Sequence, residues 1–138
     1  MVDYYGKCVM SDKENITENK RKTGSIFEQA AADYLVRHGY RILERNYRFR
    51  RFGEVDIIAG TDGFICFVEV KSRKNTVFGT PAEGVTPKKK KRIIFVASQY
   101  ISNNANLFKD KSARFDVIEV YVDNHRNIKS MNHIENAF

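Results

Sequence analysis

Two short stretches carry charged side chains where the sequence otherwise predicts buried β-strands. In "EVDIIA" (54–59) and "FICFVEVKS" (64–72), Glu54, Asp56 and Glu69 stand among isoleucine, valine and phenylalanine. Like charges that lie side by side on a sheet destabilise the strand pair, so a cation should compensate them. Carboxylates are ligands that Mg²⁺ accepts, together with water and phosphate oxygens. The first chemistry to consider is therefore the binding of a divalent cation.

The turn "GTDG" (60–63) decides whether these acids meet. Side chains alternate between the two faces of a strand, and a two-residue or four-residue loop would place Asp56 opposite Phe67 and Glu54 opposite Glu69. Asp56 and Glu69 then become diagonal neighbours on one face. A loop of three or five residues would put them on opposite faces. The site therefore requires an even loop.

With an even loop, Asp56, Glu69 and a strand carbonyl such as that of Val70 could hold Mg²⁺. Lys71 lies on the same face as Glu69, but one ammonium cannot balance three carboxylates that are partly removed from water. The alternative is a solvent-exposed sheet face that carries ordinary ion pairs, which contribute little to stability. Both interpretations fit the spacing of the charges.

The elements around these strands are legible in the sequence. Residues 1–22 are polar without a sustained period and predict a flexible tail. A helix should begin at Ser25, which forms a capping box with Glu28, and end at Gly39. The second helix should begin with Thr86 as N-cap. The apolar stripes predicted for the two helices are Phe27, Ala30, Ala31, Tyr34 and Leu35, and Ile93, Ile94, Ala97, Tyr100 and Ile101.

Three β-rich stretches between the helices predict an antiparallel meander. A 13-residue loop, 73–85, follows them and is long enough to suggest a functional segment. "RFDVIEVYV" after the second helix predicts a fourth strand, and the C-terminal stretch a short fifth strand. The expected fold is an α/β or α+β domain over residues 23–138, in which helices flank a small mixed sheet.

Composition limits the partners. The chain of 138 residues carries a formal net charge of +7, which favours polyanions, with nucleic acid first and an anionic membrane surface second. Cys8 and Cys66 have no metal-ligand spacing, so a structural zinc site is not expected. The sequence contains neither a signal peptide nor an apolar run that could cross a bilayer, and we therefore expect a cytoplasmic protein.

Basic residues cluster in the first strand, after the third strand and in the first turns of the second helix. Because cations at a helix N-terminus oppose the helix dipole, a phosphate partner would explain the lysine run, although a solvated charged face is the alternative. Asp116 either pairs with Arg114 or lies near the acids. The predicted nucleic-acid contacts are Arg45, Arg48, Arg50, Arg51, Arg73, Lys88, Lys89, Lys91 and Arg92.

The pattern of Asp56 followed by Glu69, Val70 and Lys71 resembles the Asp…(Asp/Glu)-x-Lys signature of the restriction-endonuclease-like nucleases. The predicted order of elements is similar to the core of that superfamily. More of the chain, including "GSIFEQAAADYLVRHGYRILERNYRFRRFGEVDIIA", "FGTPAEGVTPKKKKRI" and the terminal "HIENAF", resembles the YraN-like family of small bacterial proteins. That family is largely uncharacterised and is predicted to be nuclease-like by similarity to archaeal Holliday junction resolvases.

The resemblance implies catalytic roles for the clustered acids. Asp56 and Glu69 would bind the metal, Lys71 would lie near the attacking water or the scissile phosphate, and Glu28 would assist from the first helix. Glu54 would support the ligands or merely begin its strand. The implied activity is cleavage of DNA, including branched DNA, with Mg²⁺ or Mn²⁺ as cofactor.

Two alternatives stay open at this point. One is a nucleic-acid-binding module of the same fold with little or no cleavage activity. The other is an adaptor whose basic face docks an acidic protein. A homodimer would suit a two-stranded or branched substrate, but no residue establishes one.

Overall fold

The computed structural model describes residues 12–74 and 85–138. Two helices and five strands follow one another in the order helix, three strands, helix, two strands. A short 3-10 helix, Ala105–Phe108, lies before the fourth strand. The helices are α1 (Asp12–Arg37) and α2 (Pro87–Asn103), and the strands are β1 (Arg41–Phe49), β2 (Gly53–Thr61), β3 (Phe64–Arg73), β4 (Ser112–Val122) and β5 (Ile128–Ile134).

The five strands form one sheet whose spatial order is the order of the chain. Neighbouring strands are antiparallel except β3 and β4, which are parallel and are connected through α2. Parallel neighbours need a long crossover connection, and a helix is its usual form. The predicted mixed sheet, its antiparallel meander and the short fifth strand are therefore confirmed.

Each helix covers one face of the sheet and closes a separate apolar core. The α1-side core joins α1 to alternating residues of all five strands. The α2-side core joins α2 to the opposite faces of β2, β3 and β4. The buried helix residues are Phe27, Ala31, Ala32 and Leu35 on the α1 side, and Ile93, Val96, Ala97 and Tyr100 on the α2 side.

The first helix begins earlier than the sequence predicts. It starts at Asp12, so Ser25 lies in its interior and the predicted capping box with Glu28 is wrong. Residues 12–22, predicted as a tail, are rich in charged helix formers and contain neither Pro nor Gly, so they can continue the helix although their sequence has no apolar stripe. The predicted end is confirmed, because Gly39 has φ +85° in the left-handed region.

The second helix begins as predicted. Thr86 is the N-cap and its hydroxyl accepts a hydrogen bond from the Lys89 N–H, with Pro87 at the first helical position. One stripe residue is wrong: Ile94 is 46% exposed, and Val96 is buried in its place. Residues spaced by three and four positions share a helix face, so Ile93 and Val96 point to the sheet while Ile94 turns away from it.

The β2–β3 hairpin has the even loop that the site requires. Thr61 pairs with Phe64, which leaves a two-residue loop of Asp62 and Gly63. The register differs by two residues from the predicted one, because Ile58 lies opposite Phe67 and Asp56 does not. Gly63 permits this loop, since its φ of +81° is open to glycine without steric cost.

The long loop predicted at 73–85 falls mostly outside the described residues, which resume at Val85. Within the part of the chain that the structure describes, neither helix combines the length and the apolar character needed to span a membrane.

Candidate active site

Strand β2 changes the face of its side chains at Asp56. Ile57 packs in the α1-side core, as alternation requires, but Val55 packs with Ile58 in the α2-side core. Regular alternation predicts that Val55, Ile57 and Ala59 share one face of the sheet, and for Val55 this prediction is wrong. Across from Asp56, between two regular pairs of the β1–β2 ladder, Asn46 adopts a left-handed backbone with φ 51°. The switch thus lies at a local irregularity that both strands share.

The irregularity turns the Asp56 carboxylate toward β3. The β2–β3 pairing extends from Thr61 to Ile57 and includes no partner for Asp56. Instead, Asp56 Oδ2 accepts a hydrogen bond of 2.8 Å from the Val70 N–H, so a side chain replaces the next ladder bond. The N–H and C=O of one residue in a regular strand point toward the same neighbour, which directs the Val70 carbonyl toward Asp56 as well.

The surroundings of Asp56 favour its protonated form. Burial raises the pKa of Asp56 to about 7, and repulsion from Glu69 and Glu28 adds to this effect. The Val70 N–H and the Lys89 ammonium oppose the shift without cancelling it. Asp56 therefore changes charge near neutral pH. A cation bound beside it would stabilise its charged form.

Glu69 is paired with two lysines from different elements. Its side chain is 7% exposed, its Oε1 contacts Lys89 Nζ directly, and Lys71 Nζ lies 3.8 Å from the same oxygen. Burial and the neighbouring Lys89 ammonium lower the pKa of Lys71. Burial is the largest single influence on the pKa of Lys89 and acts to lower it. The hydrogen bonds to Glu69 and Lys71, together with the negative charges of Glu69 and Asp56, outweigh burial and raise that pKa. Lys89 is thus the principal counter-ion of Glu69.

Glu28 reaches the acids from α1 through Asn46. When the Asn46 amide is oriented with its nitrogen toward the carboxylates, that nitrogen lies 2.9 Å from Glu28 Oε2 and 3.2 Å from Glu54 Oε1. Burial and then repulsion from Glu54 raise the pKa of Glu28, while Arg45 partly offsets them. The first helix therefore contributes an acid beside β1 and β2.

A cavity of about 500 Å³ opens between the acids and the start of α2. One wall is acidic and comes from β2 and β3, and the opposite wall is the cationic first turns of the helix. An N-terminus with its unpaired N–H groups attracts anions, and basic side chains beside it reinforce that attraction. The described residues that line the cavity are Gly53, Glu54, Asp56, Glu69, Thr86, Lys88, Lys89, Arg92 and Ile93.

The remaining predicted basic residues are divided among several places. Arg45 Nη1 donates to Gln29 of α1, and Arg48 pairs with Glu54 at 2.9 Å. Arg73 pairs with the buried Glu119 at 2.6 Å. Three further cations are exposed, namely Arg50 and Arg51 in the β1–β2 turn and Lys91 on α2.

Asp116 belongs to a separate polar cluster on β4. Its carboxylate accepts two bonds from Arg114, at 2.9 and 2.8 Å, and lies 2.7 Å from His133 Nε2. Burial alone would raise the pKa of Asp116. These contacts and the Asn136 N–H outweigh burial and hold that pKa below its ordinary value. Arg114 also donates to the Tyr40 hydroxyl. Of the two predicted positions for Asp116, the pairing with Arg114 is the one observed.

The acids meet part of the requirement for a divalent cation. No group of three or more His, Cys, Asp or Glu side chains suited to holding a metal ion occurs within residues 12–74 and 85–138. A cation here would have Asp56 and Glu69 as its side-chain ligands, with the Val70 carbonyl, water and a substrate phosphate in the other positions. The raised pKa of Asp56 fits such a ligand set, because a bound cation would relieve the repulsion between the acids.

Comparison with known proteins places the chain in a family. The model of the uncharacterised protein family UPF0102 matches residues 27–120, which include β2, β3, α2 and most of β4. The chain belongs to the UPF0102 family. The predicted resemblance to an uncharacterised protein family is thereby confirmed.

Similar UPF0102 proteins occur in several bacteria. One from Clostridioides difficile is 50% identical over 121 residues, which cover 87% of this chain and 99% of that protein. One from Acetivibrio thermocellus is 42% identical over 132 residues, covering 94% of this chain and all of that protein. A relative from Chlorobium phaeobacteroides is 47% identical over 116 residues, covering 80% and 88% of the two chains. Their names state the family and no activity.

Sequence reasoning missed two features of the site. Asn46 was not singled out, although Asn is among the few residues that tolerate a left-handed backbone within a strand. The contact between the Lys89 ammonium and Glu69 was not predicted either. The first feature has a signal in the sequence, a lone Asn in a β-rich stretch, but the second depends on how α2 packs.

Proposed function

We propose that this UPF0102 protein is a metal-dependent nuclease of restriction-endonuclease-like fold that cleaves DNA with Mg²⁺ or Mn²⁺. One observation carries the proposal: Asp56 and Glu69 converge with Lys89 at a cavity whose opposite wall is the cationic start of α2. Acidic side chains that attract a cation and basic side chains that attract phosphate thus line opposite walls of the same cavity. A phosphodiester is a substrate that needs both.

Each wall of the cavity has its own task in this proposal. Asp56, Glu69 and the Val70 carbonyl would hold the metal, which when bound supplies a water of lowered pKa and stabilises charge on the phosphate. Lys88, Arg92 and the N–H groups at the start of α2 would bind the phosphates of the strand. Lys71, whose pKa is lowered, would place an ammonium or a neutral amine beside Glu69 and the attacking water.

One observation favours the second candidate, a nucleic-acid-binding module without cleavage. The ammonium of Lys89 already contacts Glu69 and neutralises one of the two proposed metal ligands. A protein that uses this pair only to hold α2 against the sheet would keep the basic wall and bind DNA without a metal. The two candidates share a surface and differ in whether hydrolysis follows binding.

The test is a cleavage assay with matched variants. The protein is incubated with single-stranded, duplex and four-way DNA in Mg²⁺ or Mn²⁺, beside Asp56→Ala, Glu69→Ala and the exposed β1 control Glu44→Ala. We expect cleavage by the wild type and the control, and loss of at least about a hundredfold in both site variants. If the wild type leaves every substrate intact but binds DNA, the binding module replaces the nuclease. Cleavage that survives both site substitutions would come from another protein.

A further inference from the structure

Three phenylalanines form an exposed aromatic patch at the β1–β2 turn and on α2. Phe52 and Phe95 are 50% and 40% exposed, and their ring centroids lie 4.9 Å apart. Phe49 supports both rings from below, with centroids 6.1 Å from each. Phenylalanine is usually buried, so two large rings held together at the surface indicate a binding surface.

The aromatic patch adjoins the cavity. Gly53, which lines the cavity, is the residue after Phe52, and Arg92, which also lines it, precedes Phe95 by one turn of α2. A Cβ on Gly53 would lie 3.5 Å from the Arg92 Cβ, so the turn and the helix are in close contact at this point. A chain bound in the cavity would therefore pass beside the rings.

The charges around the aromatic patch indicate an anionic partner. The Arg50 guanidinium lies 5.5 Å from the Phe49 centroid, and Arg51 and Lys91 are exposed on the same turn and helix. The first turn of α2 carries no acid. A second copy of this chain would bring like charges together, which opposes association. A polyanion with flat apolar groups matches both the charges and the rings.

We propose that the aromatic patch stacks on unpaired bases, and that the DNA substrate has a single-stranded segment next to the phosphate in the cavity. In a duplex, the base faces are covered by neighbouring bases and cannot reach exposed rings. In a single strand, each base offers a free face, and stacking on an aromatic side chain strengthens binding without regard to sequence. The proposal rests on the proposed function for the identity of the polymer as DNA and for the phosphate in the cavity.

The test is a binding measurement without cleavage. Fluorescence anisotropy in EDTA gives the dissociation constants of a labelled single strand and of the same sequence as a duplex. The double variant Phe52→Leu/Phe95→Leu keeps apolar side chains and removes the flat rings. Phe64→Leu is the matched control, because Phe64 is 38% exposed and has the Arg114 guanidinium 5.1 Å from its ring centroid, at the distal turn of the β2–β3 hairpin.

We expect the double variant to bind the single strand about tenfold more weakly, and the duplex with less than about a twofold change. The control variant should bind both as the wild type does. Equal weakening toward both forms, or no weakening toward either, overturns the proposal. It is also overturned if sedimentation shows a wild-type dimer that the double variant loses while its DNA binding is unchanged.

This outcome is separate from that of the nuclease proposal. A ring-dependent preference for single strands in a protein that cleaves nothing would support the stacking surface and refute the nuclease. Cleavage of DNA by a double variant that binds single strands as tightly as the wild type would support the nuclease and refute the stacking surface.

Discussion

Asp56 is the residue on which the electrostatics of the site depend. Its carboxylate departs from the regular alternation of β2 and accepts a hydrogen bond from the Val70 N–H. Burial and repulsion from Glu69 raise its pKa to about 7. An acid whose pKa is higher in the folded than in the unfolded protein stabilises the fold when it is protonated. That contribution is complete below the unfolded value near 4 and is lost as the pH rises through about 7.

The stability of the protein should therefore depend on pH. In EDTA, the free energy of unfolding of the wild type should fall between pH 5 and pH 8, by roughly 2–3 kcal/mol. Asp56→Asn keeps an oxygen for the Val70 N–H and cannot ionise, so its stability should change much less over the same interval. Urea denaturation at both pH values measures this, with Glu44→Gln as an exposed control. Equal pH dependence in the wild type and Asp56→Asn would contradict the assigned cause.

A divalent cation should restore the folding stability that is lost when Asp56 ionises. At pH 8, saturating Mg²⁺ should raise the melting temperature of the wild type by several degrees, since a ligand at a hundred times its dissociation constant stabilises by about 3 kcal/mol. Asp56→Asn should respond much less. The measurement is thermal unfolding with and without EDTA, at ionic strength matched with NaCl. A rise of the same size in both proteins would place the bound cation elsewhere.

At the scale of elements, the irregularity of the β1–β2 pair at Asn46 and Asp56 positions the acids of the site. Asn46 combines a left-handed backbone with an amide between Glu28 and Glu54. A left-handed conformation costs most residues roughly 1–2 kcal/mol, and Gly avoids that cost. The amide contribution and the backbone contribution can therefore be separated by two substitutions.

Asn46→Ala should destabilise the protein by about 1–2 kcal/mol in urea denaturation, because it loses both contributions. Asn46→Gly should lose less, since it retains the backbone freedom and loses the amide alone. If Ala and Gly are tolerated equally well, the left-handed backbone has no energetic part in holding the acids together.

Features of the helices and strands that depend on neighbouring residues in the sequence were predictable, and features that depend on packing between elements were not. The ends of α1 and α2 at Gly39 and Thr86 depend on nearby residues and were correct, as was the parity of the β2–β3 loop. The start of α1 was missed because residues 12–22 lack an apolar stripe. The change of face at Asp56 was missed because it arises from two strands together, and no single stretch displays it.

The convergence of Asp56 and Glu69 was predictable, whereas the pairing of Glu69 with Lys89 was not. The even loop places both acids in one hairpin, although the register differs by two residues from the predicted one and the irregularity at Asp56 turns its carboxylate toward β3. Lys89 belongs to a helix that packs over the sheet after a long connection, and the sequence does not fix which of its neighbouring lysines points inward.

For the whole molecule, the relevant property is the distribution of its charge of +7. Lys88 and Arg92 line the cavity on the α2 side, whereas Lys129 is exposed on β5, at the opposite edge of the sheet from β1. Phosphate contacts release counterions, so each contact adds to the slope of log K against log salt.

Binding to duplex DNA in EDTA should therefore weaken steeply with salt. Lys88→Ala/Arg92→Ala should reduce the slope by about two, one for each lost phosphate contact, and Lys129→Ala should leave it unchanged. Anisotropy titrations over a range of NaCl concentrations measure the slope. If no DNA binding occurs at low salt, both nucleic-acid candidates are refuted and the adaptor alternative is the one to test next.

The parallel pairing of β3 with β4 has a consequence for how the molecule folds. The hairpin that brings Asp56 and Glu69 together closes over a two-residue loop, whereas Lys89 arrives with a helix that connects β3 to β4. Local contacts cost less loop-closure entropy and tend to form early. We therefore expect the acids to meet before their counter-ion is in place, so that the hairpin forms against charge repulsion and the docking of α2 relieves it. The nascent chain would pass through this stage most easily in mildly acidic solution or with a divalent cation already bound.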